Sequence, residues 1–222
     1  MQPMILYEDS FLLCVIKPSG MPAQPDKTGD MDILTFLQQK EKSNAIGLIH
    51  RLDRPVGGVM LFAKTKEAEG ILSQMVQKKQ IKKEYFAVVC GKANEKEKLE
   101  DYLLKNGRTN LSSVVDKNTK GAKKAVLSYD RKEVLEEGDC FLSLLKIELE
   151  TGRHHQIRVQ LSQRGLPIWG DQKYNTIQKM KKGTKIALWS YSLTFLHPKT
   201  GEILFIKAIP EGEPFSKFTN FM

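Results

Sequence analysis

The sequence has few of the features that announce the commoner kinds of site. Its three cysteines, Cys14, Cys90 and Cys140, lie far apart with no C-x-x-C pair. That excludes a disulfide framework and a cysteine-based metal site, and predicts buried thiols in a reducing cytosol. No apolar run approaches the roughly 20 residues that a bilayer-spanning helix needs, so no membrane partner is expected. The opening Met1–Asp9 has no basic segment and meets acids at Glu8 and Asp9. No secretory leader is therefore expected, and the predicted location is cytoplasmic. Neither G-x-x-x-x-G-K-S/T nor G-x-G-x-x-G occurs, so no nucleotide cofactor is indicated. A serine-hydrolase elbow, G-x-S-x-G, is also missing. His154 and His155 are adjacent. Neighbours in sequence do not share a helix face as the histidines of H-E-x-x-H do, so no metal is expected. No internal period repeats.

Acids are in deficit too. Asp and Glu number 26 against 35 Lys and Arg, a formal net charge of +9. Such a balance points to a polyanionic partner, most simply nucleic acid. Residues 78–124 hold thirteen Lys and Arg against six Asp and Glu, which is seven of the nine net charges. A solvated lysine-rich surface would look the same in sequence, so the clustering alone does not choose.

What is present suffices for a core: 222 residues, 41% hydrophobic and 27% charged, fitting one large domain or two small ones. Residues 4–16 read as a buried strand centred on Phe11–Ile16. The loop Lys17–Pro22 ends it with two prolines and a glycine. Asp30 or Asp32 can cap a helix from Ile33 to about Lys40, with Ile33, Leu34 and Leu37 on one face. Val59–Ala63 is a strand. Thr65 caps a helix in which Ala68, Ile71, Leu72, Met75 and Val76 recur at i, i+3, i+4, i+7 and i+8. Ile81–Gly91 is a strand ended by glycine. Residues 92–124 are predicted as an extended loop or loose hairpin rather than a linker, because apolar runs resume at similar density on both sides. Strands follow at Ala125–Tyr129 and Phe141–Glu150, the latter alternating Leu145, Ile147 and Leu149 with Lys146, Glu148 and Glu150. A short helix turns Ile157 and Leu161 to the core and ends at Gly165. After a polar loop over 175–185, Ile186–Leu196 is a long strand and Ile203–Ala208 its hairpin partner. Trp169 and Trp189 are expected in or near the core. Many strands, few helices and no βαβ alternation predict an α+β protein: a mixed, largely antiparallel sheet with a few flanking helices, one domain over 1–222.

Chemistry concentrates in two stretches. His50-Arg51-Leu52-Asp53-Arg54-Pro55-Val56-Gly57-Gly58 leads into the strand Val59–Ala63. Pro55 lacks an N–H and the glycines permit unusual backbone angles, so this is a tight loop wedged between buried elements. Asp53 is either a structural salt-bridge partner, the commoner fate, or a carboxylate held ionised for chemistry. The second stretch is Thr151–Leu161, with Gly152-Arg153-His154-His155-Gln156-Ile157-Arg158 at its centre.

These residues carry a resemblance. His50-Arg51-Leu52-Asp53-Arg54, with Gly58 and the strand to Ala63-Lys64, resembles the HRLDR signature of the RluA-type pseudouridine synthases. Leu13–Pro22 resembles the family's N-terminal strand and K-P-x-G loop. Lys83–Gly91 resembles its K-x-Y-x-A-x-V-x-G strand. Gly152–Arg158 with Pro167–Asp171 and Tyr174 resembles its G-R-x-H-Q-I-R … P-x-x-G-D-x-x-Y stretch. Four motifs in order at compatible spacing, over nearly the whole chain, are highly specific. Departures are modest: Pro55-Val56-Gly57 replaces a D-T-S type run, His154 replaces the usual threonine, and the S4 RNA-binding module of some members is expected to be missing.

The resemblance implies the pseudouridine synthase fold and conversion of uridine to pseudouridine in ribosomal or transfer RNA, with no cofactor and no metal. Asp53 matches the family's essential aspartate, acting as nucleophile or as base. Arg158 matches its active-site arginine, whose planar fork can grip a carboxylate at two points. Tyr85 matches its active-site tyrosine, whose ring can stack on uracil. The chain is expected to act as a monomer. Two other readings compete. A non-catalytic RNA-binding protein that keeps the fold would not need Asp53, Tyr85 and Arg158 together. A glycosidase-type hydrolase needs two carboxylates, and Asp171, the other acid inside a motif, reads as structure. By themselves Asp53 and Arg158 would pass for a buried ion pair, and Tyr85 for an ordinary strand aromatic. His50 reads as structural, while Arg51 and Arg54 either bind phosphate or brace the loop.

Overall fold

The computed structural model describes residues 2–138, 140–177, 180–181 and 183–221. In chain order its elements are β1 (Met4–Glu8), β2 (Leu12–Lys17), α1 (Ile33–Lys40), β3 (Gly47–Leu48), β4 (Gly57–Ala63), α2 (Lys66–Gln77), β5 (Lys82–Cys90), β6 (Lys96–Asn106), β7 (Leu111–Val115), β8 (Lys123–Glu137), β9 (Cys140–Leu149), α3 (Gln156–Gln163), β10 (Leu188–Leu196) and β11 (Ile203–Lys207). The α+β expectation holds. Two compact units share these elements: Met1–Lys83 with Trp189–Ile209, and Glu84–Leu188 with Pro210–Met222.

In the first unit, the expected single strand over 4–16 is an antiparallel hairpin, β1 with β2. Asp9 makes the break. Its Oδ1 accepts the N–H groups of Phe11 at 2.6 Å and Leu12 at 2.8 Å, and its Oδ2 takes the Tyr7 hydroxyl at 2.9 Å. A carboxylate that satisfies the amides of a reversing chain makes a turn without glycine. β4, buried along its whole length, pairs antiparallel with β2. Its other edge is shared by β3 at Phe62–Ala63 and, in parallel, by β10 at Gly57–Gly58. β11 is the antiparallel partner of β10, as expected.

Both helices of this unit are capped as expected. Asp32 accepts the Thr35 N–H at 2.9 Å, and Thr65 the Ala68 N–H at 3.1 Å. Ala68, Leu72 and Met75 of α2 pack on Leu12, Val59 and Leu61 of the strands. The buried stripe of α2 is narrower than its sequence pattern, since Ile71 at its edge stays 36% exposed.

The second unit is antiparallel throughout, in the order β5-β9-β8-β6-β7. Here the sequence reading fell short: 92–124 is a well-formed hairpin, with β6 paired on one side to β7 and on the other to β8. Only Leu99 and Leu103 of β6 are buried, so the strand lacks the apolar alternation that would reveal it. β8 likewise runs on past Tyr129 to Glu137. α3 ends as expected, with Gly165 at φ +71° just past its cap, where a left-handed residue stops a helix. The expectation of three buried thiols needs correction. Cys14 is buried and its thiol pushed up to about 12 by that burial, Cys90 is half-buried, and Cys140 at the start of β9 is exposed. Among the described residues no helix is long and apolar enough to cross a membrane.

Candidate active site

Asp53 stands in the first unit, half-buried in the loop between β3 and β4. Leu52 and Val56 are buried on either side of it, and the Val56 N–H closes a turn on the Asp53 carbonyl at 2.9 Å. The Lys17–Pro22 loop is stitched to this turn. Gly20 N–H donates to the Arg54 carbonyl at 2.9 Å, and the Ser19 hydroxyl to the Pro55 carbonyl at 2.5 Å. The Arg54 side chain donates to the Gly20 carbonyl and the Thr28 hydroxyl and pairs with Asp30. Of the two roles left open for Arg54, bracing the loop is the one observed. Arg51 is exposed.

Lys17 is central to this loop, and sequence reasoning gave it no role. It is fully buried, and its Nζ donates to the carbonyls of Met21 at 2.7 Å, Pro18 at 3.0 Å and Arg54 at 3.2 Å. An ammonium has three protons, and all three are used. Burial lowers Lys17 to about 7, with the Asp53 charge opposing and the Arg54 charge adding. Within the first unit, therefore, Lys17 and Asp53 act on one another electrostatically. The signal in the sequence was a lysine closing an apolar strand.

The glycines behind the loop are forced. A Cβ on Gly58, at φ +118°, would run into the Ser190 backbone, and one on Gly57 would strike the Trp189 ring. His50 is structural as expected. Its Nε2 accepts the Leu61 N–H at 3.2 Å, and burial, helped by the Lys83 charge, holds its pKa down to about 3.

Tyr85 and Arg158 belong to the second unit. Tyr85 lies on β5 opposite Ile147 and is buried. Arg158, on α3, is buried with its fork closed on Asp171: Nε donates to Oδ2 and Nη2 to Oδ1, both at 2.7 Å. Asp171 is structural, as the sequence suggested. Its Oδ1 also accepts the N–H groups of Lys173 and Tyr174, and a Cβ on Gly170 before it would meet the Lys185 carbonyl. The guanidinium lies over the Tyr174 ring, 5.2 Å from its centre. A charged fork held at two points and stacked on a ring has a fixed plane. Tyr174 is fixed in turn, because its hydroxyl bonds His155 Nδ1 and the Ser112 N–H, each at 2.8 Å. Burial first, then the Arg158 charge, pushes His155 down to about 2, so the imidazole is neutral. Sequence reasoning gave Tyr174, His155 and Ser112 no role. Tyr174 and His155 lay inside a motif, and Ser112 had no local signal. Among the described residues, no three His, Cys, Asp or Glu side chains are grouped as metal ligands.

Residues 11–163 match the family described as RNA pseudouridylate synthase. The chain is 32% identical to the ribosomal large subunit pseudouridine synthase C of Buchnera aphidicola subsp. Acyrthosiphon pisum (strain APS), over 97% of this chain and 69% of that one. It is 31% identical to the tRNA pseudouridine synthase C of Haemophilus ducreyi (strain 35000HP / ATCC 700724), over 98% of this chain and 95% of that one. Among solved structures, human RNA pseudouridylate synthase domain containing 1 superimposes with a TM-score of 0.79 at 20% identity, covering 94% of this chain and 84% of its own. At that identity the likeness is one of fold.

Proposed function

This chain belongs to the RNA pseudouridylate synthase family, and from that premise we propose that it isomerises specific uridines of ribosomal or transfer RNA, with Asp53, Tyr85 and Arg158 serving one reaction. The observation that carries the reading is the Asp53 loop itself. A buried lysine, two glycines and a bracing arginine fix the backbone around a half-buried acid, and the lysine and the acid act on one another. A fixed loop that carries a partly buried acid beside other charges is the setting in which catalytic carboxylates are found.

The reaction breaks the C1′–N1 glycosidic bond, turns the uracil and joins C1′ to C5. C5 then gives up its proton and N1, freed from C1′, ends with one, so product and substrate are isomers and no co-reactant is needed. Asp53, ionised, attacks the nucleoside or removes a ribose proton. Tyr85 stacks on the uracil and offsets part of the cost of taking it out of its stack. Arg158, with its plane fixed by Asp171 and Tyr174, presents a positive charge of set orientation. The chain over 1–222 works as one catalytic domain, without cofactor or metal, as a monomer in the cytoplasm.

Pseudouridine mapping in a strain lacking the gene, compared with its parent, tests the function and names the position. The purified protein should restore that site in transcribed RNA. Loss of no site in the deletion strain, together with no product in vitro, would refute the proposal.

A further inference from the structure

One end of the β6–β7 hairpin gathers cations that no acid answers. Lys105, Arg108 and Lys173 are exposed, and among the described residues none is in an ion pair. Other basic residues of the same unit differ. Lys98 sits on Glu150 at 2.8 Å, Lys124 on Glu100 at 2.6 Å and Lys96 on Asp130 at 3.7 Å. Lys105 stands directly opposite Ser112 across the hairpin, so the two side chains share a face. Arg108 lies in the connecting turn, where the Asn106 side chain accepts its N–H at 2.9 Å. Lys173 arrives from the turn after Asp171, and its Nζ donates to the Asn110 carbonyl at 3.2 Å. Two separate segments therefore bring cations to one place. His155 registers this, since the Lys173 and Lys105 charges both act on it, after burial, Arg158 and His154.

The hairpin end is also locked. Ser112 is held twice, by its N–H to the Tyr174 hydroxyl and by its Oγ to His154 Nδ1, each at 2.8 Å. The His154 and His155 rings stack with centroids 3.7 Å apart. His154 stands where the resembled motif carries threonine, so this half of the lock is the chain's own.

We propose that this end of the hairpin is a docking surface for the phosphate backbone of the RNA substrate, with Lys105, Arg108 and Lys173 contacting phosphate and the Ser112–His154–Tyr174 lock fixing their spacing. The proposal rests on the reading of the protein as acting on RNA. Besides Arg108, the turn residues are Asn106, Gly107, Thr109 and Asn110. A protein partner would find no apolar or aromatic anchor there to bury. A phosphate backbone needs only charges and donors at suitable spacing.

The test is binding of the full chain to a fluorescently labelled RNA stem-loop, by anisotropy over a series of salt concentrations. Lys105→Ala with Lys173→Ala should weaken binding and lower the slope of log affinity against log salt by about one for each phosphate left unneutralised. Lys96→Ala with Lys98→Ala removes the same formal charge from paired groups and should keep the wild-type slope. Ser112→Ala leaves the charge alone and should weaken binding severalfold at an unchanged slope. His154→Thr removes the same bond from the other side and should repeat that result. A wild-type slope in the Lys105/Lys173 variant, or an equal drop in the control, overturns the surface. Wild-type affinity in both lock variants overturns the lock. Product is assayed separately on an RNA carrying the mapped uridine. A changed slope with no product from wild type would sink the isomerase reading and leave the surface standing, and product with an unchanged slope would do the reverse.

Discussion

Lys17 is placed where a charge is hardest to keep. Its folded pKa, about 7, lies below the ordinary lysine value of about 10.4. Between those values the unfolded chain binds the extra proton, so stability should rise with pH across that window and level off below about 7. Urea midpoints from about pH 6.5 to 9.5 should show this rise in wild type and not in Lys17→Met. Parallel curves would mean that the three carbonyls hold the ammonium fully. The Met variant should also lose on the order of 3 kcal/mol, because three buried carbonyls lose their donor. Asp53→Asn is nearly isosteric; it should fold, bind RNA and make no pseudouridine, and normal product from it would remove the carboxylate from the mechanism. Tyr85→Phe and Tyr85→Ala should both lose most turnover. Only the Ala variant should also weaken RNA binding, since stacking contributes roughly 1–3 kcal/mol per base.

At the scale of elements, the joints are more revealing than the elements themselves. α3 is tied to the turn after Ile168 by the Arg158–Asp171 pair, buried on both sides. Arg158→Met removes the buried cation that Asp171 pairs with and should cost about 3–5 kcal/mol. Adding Asp171→Leu should recover much of that stability in thermal unfolding without restoring turnover. Recovery of turnover as well would make Arg158 a structural residue only. The parallel joint of β4 with β10 depends on Gly57 and Gly58. Gly58→Ala should be the worse substitution, because its Cβ meets Ser190 backbone at positive φ, whereas at Gly57 the nearest obstacle is the Trp189 side chain. We expect more than about 3 kcal/mol at Gly58 and less at Gly57, read from denaturant midpoints.

For the whole molecule the governing quantity is the net charge of +9. RNA affinity should fall steeply between about 50 and 200 mM salt. Neutralising Lys120, Lys123 and Lys124 together should flatten that fall by less than three charges' worth, since Lys124 already bonds Glu100. Both units draw on distant parts of the chain: β10 and β11 return to the unit that holds Asp53, and Pro210–Met222 to the one that holds Arg158. Phe86 and Phe221 meet edge to face within the second unit, 5.2 Å between centroids.

The sequence by itself determined whatever depends on neighbours along the chain. Both early helices and the Thr65 cap follow from local hydrogen-bonding chemistry, as does the stop at Gly165, while the choice of Asp32 over Asp30 came from the structure. The alternating strand Leu145–Glu150 follows from burying one face, and the family from motifs that are contiguous runs. The tertiary structure alone decided what depends on contacts across tens of residues. The Asp9 turn is completed by His197. β6, with only Leu99 and Leu103 buried, is held by partners on both sides rather than by apolar pattern. Lys17 is buried by a loop 37 residues away. The arginine fork has Asp171 as one partner because α3 and the following turn pack together. Partner choice is a matter of distance in space, and a linear pattern carries none of it.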